Sequence, residues 1–156
     1  MRRFESVKDE FKKFPNIKTE LPIRATMNSA GYDFFSKEDY ILHPGEHHIF
    51  WTDVKAIMYF DNFLQIHTRS GNGCKRGIVL RNCTAIIDAD YANNLENDGN
   101  IGICLKNSGE DVVEIKIGDK IADGIFIRYM IVDDDEYMNS KESSRRTGGF
   151  GSTGTK

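Results

Sequence analysis

The stretch IGICLKNSGEDVVEIKIGDKIADGIFIRYMI, residues 101–131, decides the fold class. Ile101, Ile103 and Leu105 alternate with Gly102 and Cys104, and Val113, Ile115 and Ile117 alternate with Glu114 and Lys116. Further on, Ile125, Ile127, Tyr129 and Ile131 alternate with Phe126, Arg128 and Met130. A period of two places successive side chains on opposite faces of a pleated strand, so these rows predict strands half-buried or fully buried in sheets. Ser108-Gly109 and Gly118-Asp119 separate the rows, and Pro44-Gly45 and Asp98-Gly99 punctuate the chain upstream with the same turn chemistry. Many short strands at this spacing indicate an all-β barrel or sandwich. Helix is expected in only two places. One is a short polar turn over Lys8–Phe14, after a first strand spanning Arg2–Val7; the other is Ser70–Arg76, too short for more than about two turns. Asp123 breaks the strand rule, because it shares the parity of Ile121, Ile125 and Ile127. Either a bulge around Gly124 turns it outward, or its carboxylate faces a cavity and has a function.

A chain of 156 residues with 39% apolar and 29% charged residues is most simply one soluble domain with a real core. Its net charge of −3 supplies no global field toward nucleic acid or an acidic membrane, so a phosphate ligand must be held by local charge. The opening MRRFESVKDEFKKF lacks the apolar core of a secretion signal, and no apolar run approaches transmembrane length. Cys74, Cys83 and Cys104 lack metal-type spacing and read as reduced thiols, which points to a cytoplasmic protein. His43, His47, His48 and His67 likewise show no zinc pattern. The acidic, Ser-containing segment Asp133–Ser144 reads as an exposed arm. The expected organisation is therefore a β-domain with its connecting arm over 1–144, followed by a flexible Gly-rich arm over 145–156.

Five segments concentrate polar chemistry. The terminal RRTGGFGSTGTK surrounds Phe150 with Gly148, Gly149, Gly151 and Gly154, next to Arg145, Arg146, Ser152 and Thr153. Glycine lets backbone N–H groups approach an anion, guanidinium and hydroxyl groups donate to phosphate, and an aromatic face can stack on a base. Ala30-Gly31-Tyr32-Asp33 sets a carboxylate after a small-residue turn. Arg69-Ser70-Gly71 ends a strand and opens a helix, where a hydroxyl and free N–H groups point the same way. Asn82 precedes the apolar pair Ile86-Ile87 and the run Asp88-Ala89-Asp90-Tyr91. Gly118-Asp119-Lys120 starts the last long strand.

In this order the segments resemble the five motifs of the trimeric dUTP pyrophosphatase (dUTPase) family: AGYDFF, RSGNGCKRGIVLRN, AIIDADY, KIGDKIAD and RRTGGFGSTG. The resemblance runs from about Arg2 to the C-terminus, and the third and fifth motifs are its most specific parts. It implies a distorted jelly-roll β-barrel, assembled as a homotrimer whose C-terminal arms are exchanged. Each active site would take the second motif from one chain, the third from another and the arm from the last. The reaction implied is hydrolysis of dUTP to dUMP and pyrophosphate, with Mg2+ on the triphosphate, limiting uracil in DNA and supplying dUMP.

The resemblance also implies individual roles. Asp88 would be the general base that directs water at the α-phosphorus, a contribution of about 10² to 10⁴ in rate. Arg69, Ser70 and Gly71 would bind the α- and β-phosphates, and Asp33 would hold the Mg2+ assembly through water. Arg145, Gly151, Ser152 and Thr153 would close on the γ-phosphate while Phe150 covers the base. Uracil presents acceptor, donor and acceptor along its pairing edge, so its site must offer the complement. Asn82 and the strands carrying Ile86, Ile87 and Gly102 can supply it, and cytosine would leave buried groups unpaired. Tyr91 would pack beneath the deoxyribose, where a 2′-hydroxyl would clash.

Several positions depart from the family pattern. Asp123 stands where the family usually carries Gln, Ala85 and Arg146 replace Gly, and Thr68 stands where Pro is common. The segment Asn93–Asn100, NNLENDGN, enlarges the hairpin after Tyr91 and reads as a hydrophilic elaboration beside the nucleoside pocket, the alternative being a tolerated surface loop of low closure cost. Two other functions stay open. A dCTP deaminase shares the fold but carries a second Ser where this chain has Gly71 and lacks the GFGSTG-type tail. A family member acting as a protein-binding regulator would use the Asn93–Asn100 insert, whose deletion should then spare turnover but abolish partner binding.

Overall fold

The computed structural model describes residues 1–133 and 135. Twelve short strands and one helix follow each other in the order β1 Arg3–Ser6, β2 Ile23–Arg24, β3 Tyr32–Phe35, β4 Tyr40–Leu42, β5 His47–Trp51, β6 Val54–Ile57 and β7 Asn62–Thr68, then α1 Ser70–Arg76, β8 Ile78–Leu80, β9 Ala85–Asp88, β10 Gly102–Asn107, β11 Val113–Ile115 and β12 Lys120–Arg128. Single 3₁₀ turns cover Asp9–Phe11 and Ala89–Tyr91. The fold is all-β, and the one α-helix among the described residues occupies the span expected for it.

The strands form four hydrogen-bonded sheets that do not join into one closed ring among the described residues. The largest runs β2-β3-β12-β7-β9; the others are β5-β10-β8, β1-β6 and β11-β4, and every pairing is antiparallel. Their inner faces share one core that includes Phe34, Phe50, Leu64, Ile66, Ile103 and Ile121. Each such side chain contributes about 1.5–3 kcal/mol by leaving water. Alternation along β10 is clean: Ile103, Leu105 and Asn107 are buried, while Gly102, Cys104 and Lys106 are half-buried.

β12 overturns the parity expected of it. The register with β3 slips between Lys120 and Ala122, so Ile121 and Ala122 are both buried. Beyond the slip, Gly124 faces the core, where a Cβ would lie 2.9 Å from the Phe34 ring. Asp123, Ile125 and Ile127 therefore share the opposite face, and none of the three lines the core with Ile121. The irregularity sits ahead of Asp123, not at Gly124.

The Asn93–Asn100 segment is anchored to the domain, which sets aside the alternative of a merely tolerated surface loop. Asn94, Asp98, Gly99 and Asn100 are all buried. Asp98 and Gly99 both have positive φ, 57° and 86°, and the Asn100 N–H donates to the Asn97 carbonyl at 3.0 Å. That is a type I′ turn, which needs φ > 0 at both central residues. The Asp98 carboxylate accepts from Lys55 Nζ and from the Lys8 amide, both at 2.9 Å. The Asn100 side chain bonds both the backbone N–H and a carboxylate oxygen of Asp53 at 3.0 Å. Buried polar groups persist only when paired, and here the pairs tie the segment to the N-terminal turn and to β6.

Candidate active site

Antiparallel registry lines up Asp33 of β3, Asp123 of β12 and His67 of β7 side by side on one face of the five-stranded sheet. Asp33 is 5% exposed, and Arg69 Nε donates to its Oδ1 at 2.9 Å. Lys120 Nζ lies 2.7 Å from Oδ2, close enough for an ion pair but off a hydrogen-bonding angle, since Oδ2 has no hydrogen bond among the described residues. The Arg69 pair fixes the guanidinium just ahead of α1, whose first turn receives no side-chain cap. Ser70 and Gly71 are exposed there, and the first amides of a helix have no partner within it. A cation, a hydroxyl and unpaired amides at one strand end suit phosphate oxygens.

A metal ion does not fit Asp33 as a direct ligand. Both of its oxygens face cations, the group is buried, and among the described residues no three His, Cys, Asp or Glu side chains converge on a common point. Mg2+ carried by a triphosphate would reach this carboxylate only across water.

Asp123 is the least comfortable group in this row. Its Oδ1 is buried without a hydrogen-bond partner among the described residues, and a Cβ on Gly31 would sit 2.8 Å from its Oδ2. Burial pushes its carboxyl above the usual carboxylate range and Asp33 adds to the rise, while His67 and Arg69 pull the other way. A raised value means that the folded chain binds this proton more tightly than the unfolded chain does. The resulting stabilisation is complete in acid, where an unfolded aspartate is also protonated, and is lost as pH rises through the folded value. Asp123→Asn is therefore expected to raise stability by about 1–2 kcal/mol at pH 8, because it removes the charge that burial disfavours. The gain should shrink toward zero near pH 4. Thermal melts of both proteins across that range check it, and a less stable Asn variant at pH 8 would refute it.

The third segment lies at the far side of the same sheet. β9 pairs with β7, setting Asp88 opposite Phe63 and Ile86 opposite Gln65. Ala85 and Ile87 pack against the core, whereas Ile86, 48% exposed, and Asp88 face outward. Asn82 is exposed in the tight turn leading into β9, where Cys83 has a φ of 62°. Gly102 opens β10 opposite Trp51, and a Cβ there would meet the Trp51 ring at 3.1 Å and Ile49 Cγ2 at 2.9 Å. Only glycine lets those side chains cross the strand at this point. Tyr91 is buried within the core cluster, and its hydroxyl donates to the Asn100 carbonyl at 2.8 Å.

Within one chain, the second and third segments do not meet. Asp88 sits opposite the start of β7, while Arg69 follows its end, and at about 3.3 Å per residue the separation is roughly 20 Å. The face between them carries Phe63, Gln65, Ile125 and Ile127, all only half-buried. The structure brings Asp33, Arg69, Ser70 and Gly71 to one end of the sheet. Asp88 lies toward the other end, opposite Phe63, whereas Ile86 lies opposite Gln65 between the two and Ala85 opposite Ile66, nearer Arg69. Arg145, Phe150, Gly151, Ser152 and Thr153 lie outside the described residues, as does the boundary at 144. The reading missed Lys120 as a partner of Asp33 and the asparagines around Tyr91; the density of Asn in 93–100 was their visible signal.

Residues 18–154 match the dUTPase family model. The deoxyuridine 5′-triphosphate nucleotidohydrolase of Lactococcus lactis is 38% identical over 142 residues, covering 91% of this chain and 93% of that protein. The crystal structure of dUTPase from Streptococcus mutans superposes with a TM-score of 0.72 at 32% identity, covering 83% of this chain and 98% of the other. The dUTPase of phage phi11 of S. aureus, in which a structural Mg(II) ion is coordinated, shares the fold at a TM-score of 0.66 and 21% identity, covering 92% of this chain and 99% of that one.

Proposed function

The chain belongs to the dUTPase family and acts as a dUTP diphosphatase; we propose that it does so at sites shared among three copies of itself. The observation that carries this reading is the separation of roughly 20 Å between Asp88 and Arg69 within one chain. A water attacking the α-phosphorus must lie within about 3–3.5 Å of it, so base and phosphate cradle must come from different chains. The half-buried face bearing Phe63, Ile125 and Ile127 supplies the apolar surface on which copies would meet.

In this arrangement Asp88 of one copy orients water and takes its proton as the P–O bond forms. Arg69, Ser70 and the first amides of α1 in a second copy hold the α- and β-phosphates, with Asp33, itself paired with Lys120, fixing the guanidinium. Pyrophosphate leaves from the opposite side of the phosphorus. The arm of a third copy, through Arg145, Phe150, Gly151, Ser152 and Thr153, would cover base and γ-phosphate. When carried by the nucleotide, Mg2+ would neutralise triphosphate charge, with Asp33 facing it only across water. The backbone around Ile86 and Gly102, with Asn82, reads the uracil edge.

Complementation tests the shared site. Arg69→Ala and Asp88→Asn chains, each inactive alone, are unfolded together at equal amounts and refolded. Random assembly should give about a quarter of the sites an intact base from one chain and an intact arginine from another. Pyrophosphate release should therefore return to about that fraction of wild type. If the mixture stays as inactive as either parent, each site lies within one chain and the shared reading fails.

A further inference from the structure

Asn94 and Asn97 grip Tyr91 at both ends. Asn94 Nδ2 donates to the Tyr91 carbonyl at 2.7 Å, and Asn97 Nδ2 donates to the Tyr91 hydroxyl at 2.7 Å. The hydroxyl passes its own proton to the Asn100 carbonyl at 2.8 Å, so the phenol both accepts and donates within the segment. The two asparagines also bond each other, Asn94 Nδ2 donating to Asn97 Oδ1 at 2.7 Å. The same Asn97 oxygen accepts the Gly99 N–H at 3.0 Å, and Asn94 Oδ1 accepts the amides of Glu96 and Asn97 at 2.9 and 3.0 Å. Below this cluster, Asp98 on Lys55 and Asn100 on Asp53 anchor the segment to side chains 0–6% exposed.

We propose that Asn97, supported by Asn94, is a positioning residue that sets how firmly the nucleoside pocket rejects a ribose. The inference rests on the reading of Tyr91 as the surface beneath the sugar. A ring excludes a 2′-hydroxyl only as far as it resists displacement, because a shift of about 1 Å is enough to change a site's selectivity. Packing alone leaves an aromatic ring free to slide along its plane. Hydrogen bonds at the carbonyl and at the phenol oxygen remove that freedom at both ends. The eight-residue segment from Asn93 to Asn100 thus acts as a brace for one wall of the pocket.

The test compares kcat/KM for dUTP and UTP in Asn97→Ala and Asn97→Asp. Aspartate keeps acceptors for Gly99 and Asn94 but has no proton for the Tyr91 hydroxyl, so it isolates the grip on the phenol if the alanine variant folds poorly. The dUTP-to-UTP ratio should fall about tenfold in both, the scale of one lost hydrogen bond. Most of the fall should come from faster UTP turnover, with kcat for dUTP kept within about threefold. A merely structural role would lower both substrates equally, and an unchanged ratio in a folded variant overturns the proposal. Tyr91→Leu separates the two layers of the inference. If it leaves the ratio unchanged, Tyr91 is not beneath the sugar and the brace falls with it. If it lowers the ratio while the Asn97 variants do not, the pocket reading stands and only the brace is wrong.

Discussion

Asp88→Asn is expected to slow pyrophosphate release from dUTP by about 10²- to 10⁴-fold, the usual worth of a positioned general base. Asparagine has nearly the same shape but cannot accept the proton of an attacking water. Asp88 lies exposed on the outward face of β9, so the substitution should change stability by no more than about 0.5 kcal/mol. Nucleotide binding should persist or tighten, because a negative charge has been removed beside a triphosphate. Rapid-quench measurement of pyrophosphate, with calorimetric titration of a non-hydrolysable analogue, separates these effects. Turnover within about threefold of wild type would assign proton transfer to another group.

Asp53→Ala should cost about 3–5 kcal/mol of stability, since it strips the counter-ion from a buried lysine. Asp53 is fully buried, with a φ of 55°, and accepts from Lys37 Nζ at 2.8 Å, from the amides of Lys13 and Phe14 at 2.8 and 3.1 Å, and from Asn100 Nδ2 at 3.0 Å. Burial alone would push its carboxyl up, but Lys37, the Lys13 amide and Asn100 outweigh it and hold the group below its ordinary value. A depressed value contributes stability at neutral pH that is lost as pH falls through it. At a fixed protein concentration the alanine variant should melt about 10 °C lower or more. Asp53→Asn tolerates the same backbone better and keeps some hydrogen bonds, so it should lose less and show a weaker dependence on acid. A loss under about 1 kcal/mol for Asp53→Ala would mean that Lys37 finds another partner.

Asp53 also marks where reading the chain in one dimension stops. The strands and turns were visible because alternation and Gly, Pro or Asp pairs are local signals. The span of α1 and the rows in β10 and β11 follow from a handful of consecutive residues. Nothing near Asp53 announces that Lys37, Lys13, Phe14 and Asn100 will converge on it, because those partners come from separate segments. The slip in β12 was hidden for the same reason: Lys120 pairs with Phe35 but Ala122 with Phe34, a relation set by the neighbouring strand. The site shows a similar division. Each chemical cluster could be named from adjacent residues, yet the distance between Asp88 and Arg69 emerges only once β7 and β9 are paired. The asparagines of 93–100 were conspicuous as composition, but their grip on Tyr91 depends on how the loop folds back.

The slip in β12 also constrains which lengths of chain this fold tolerates over evolution. Ahead of it the strand shows its greasy side inward on one phase, and beyond it on the other. Inserting or deleting a single amino acid between Lys120 and Ala122 would exchange Asp123, Ile125 and Ile127 for Ala122, Gly124 and Phe126, driving a carboxylate toward Phe34 and stripping the outer wall of its isoleucines. Drift in length should therefore collect at exposed hairpin tips such as Pro44-Gly45 and leave this one step untouched.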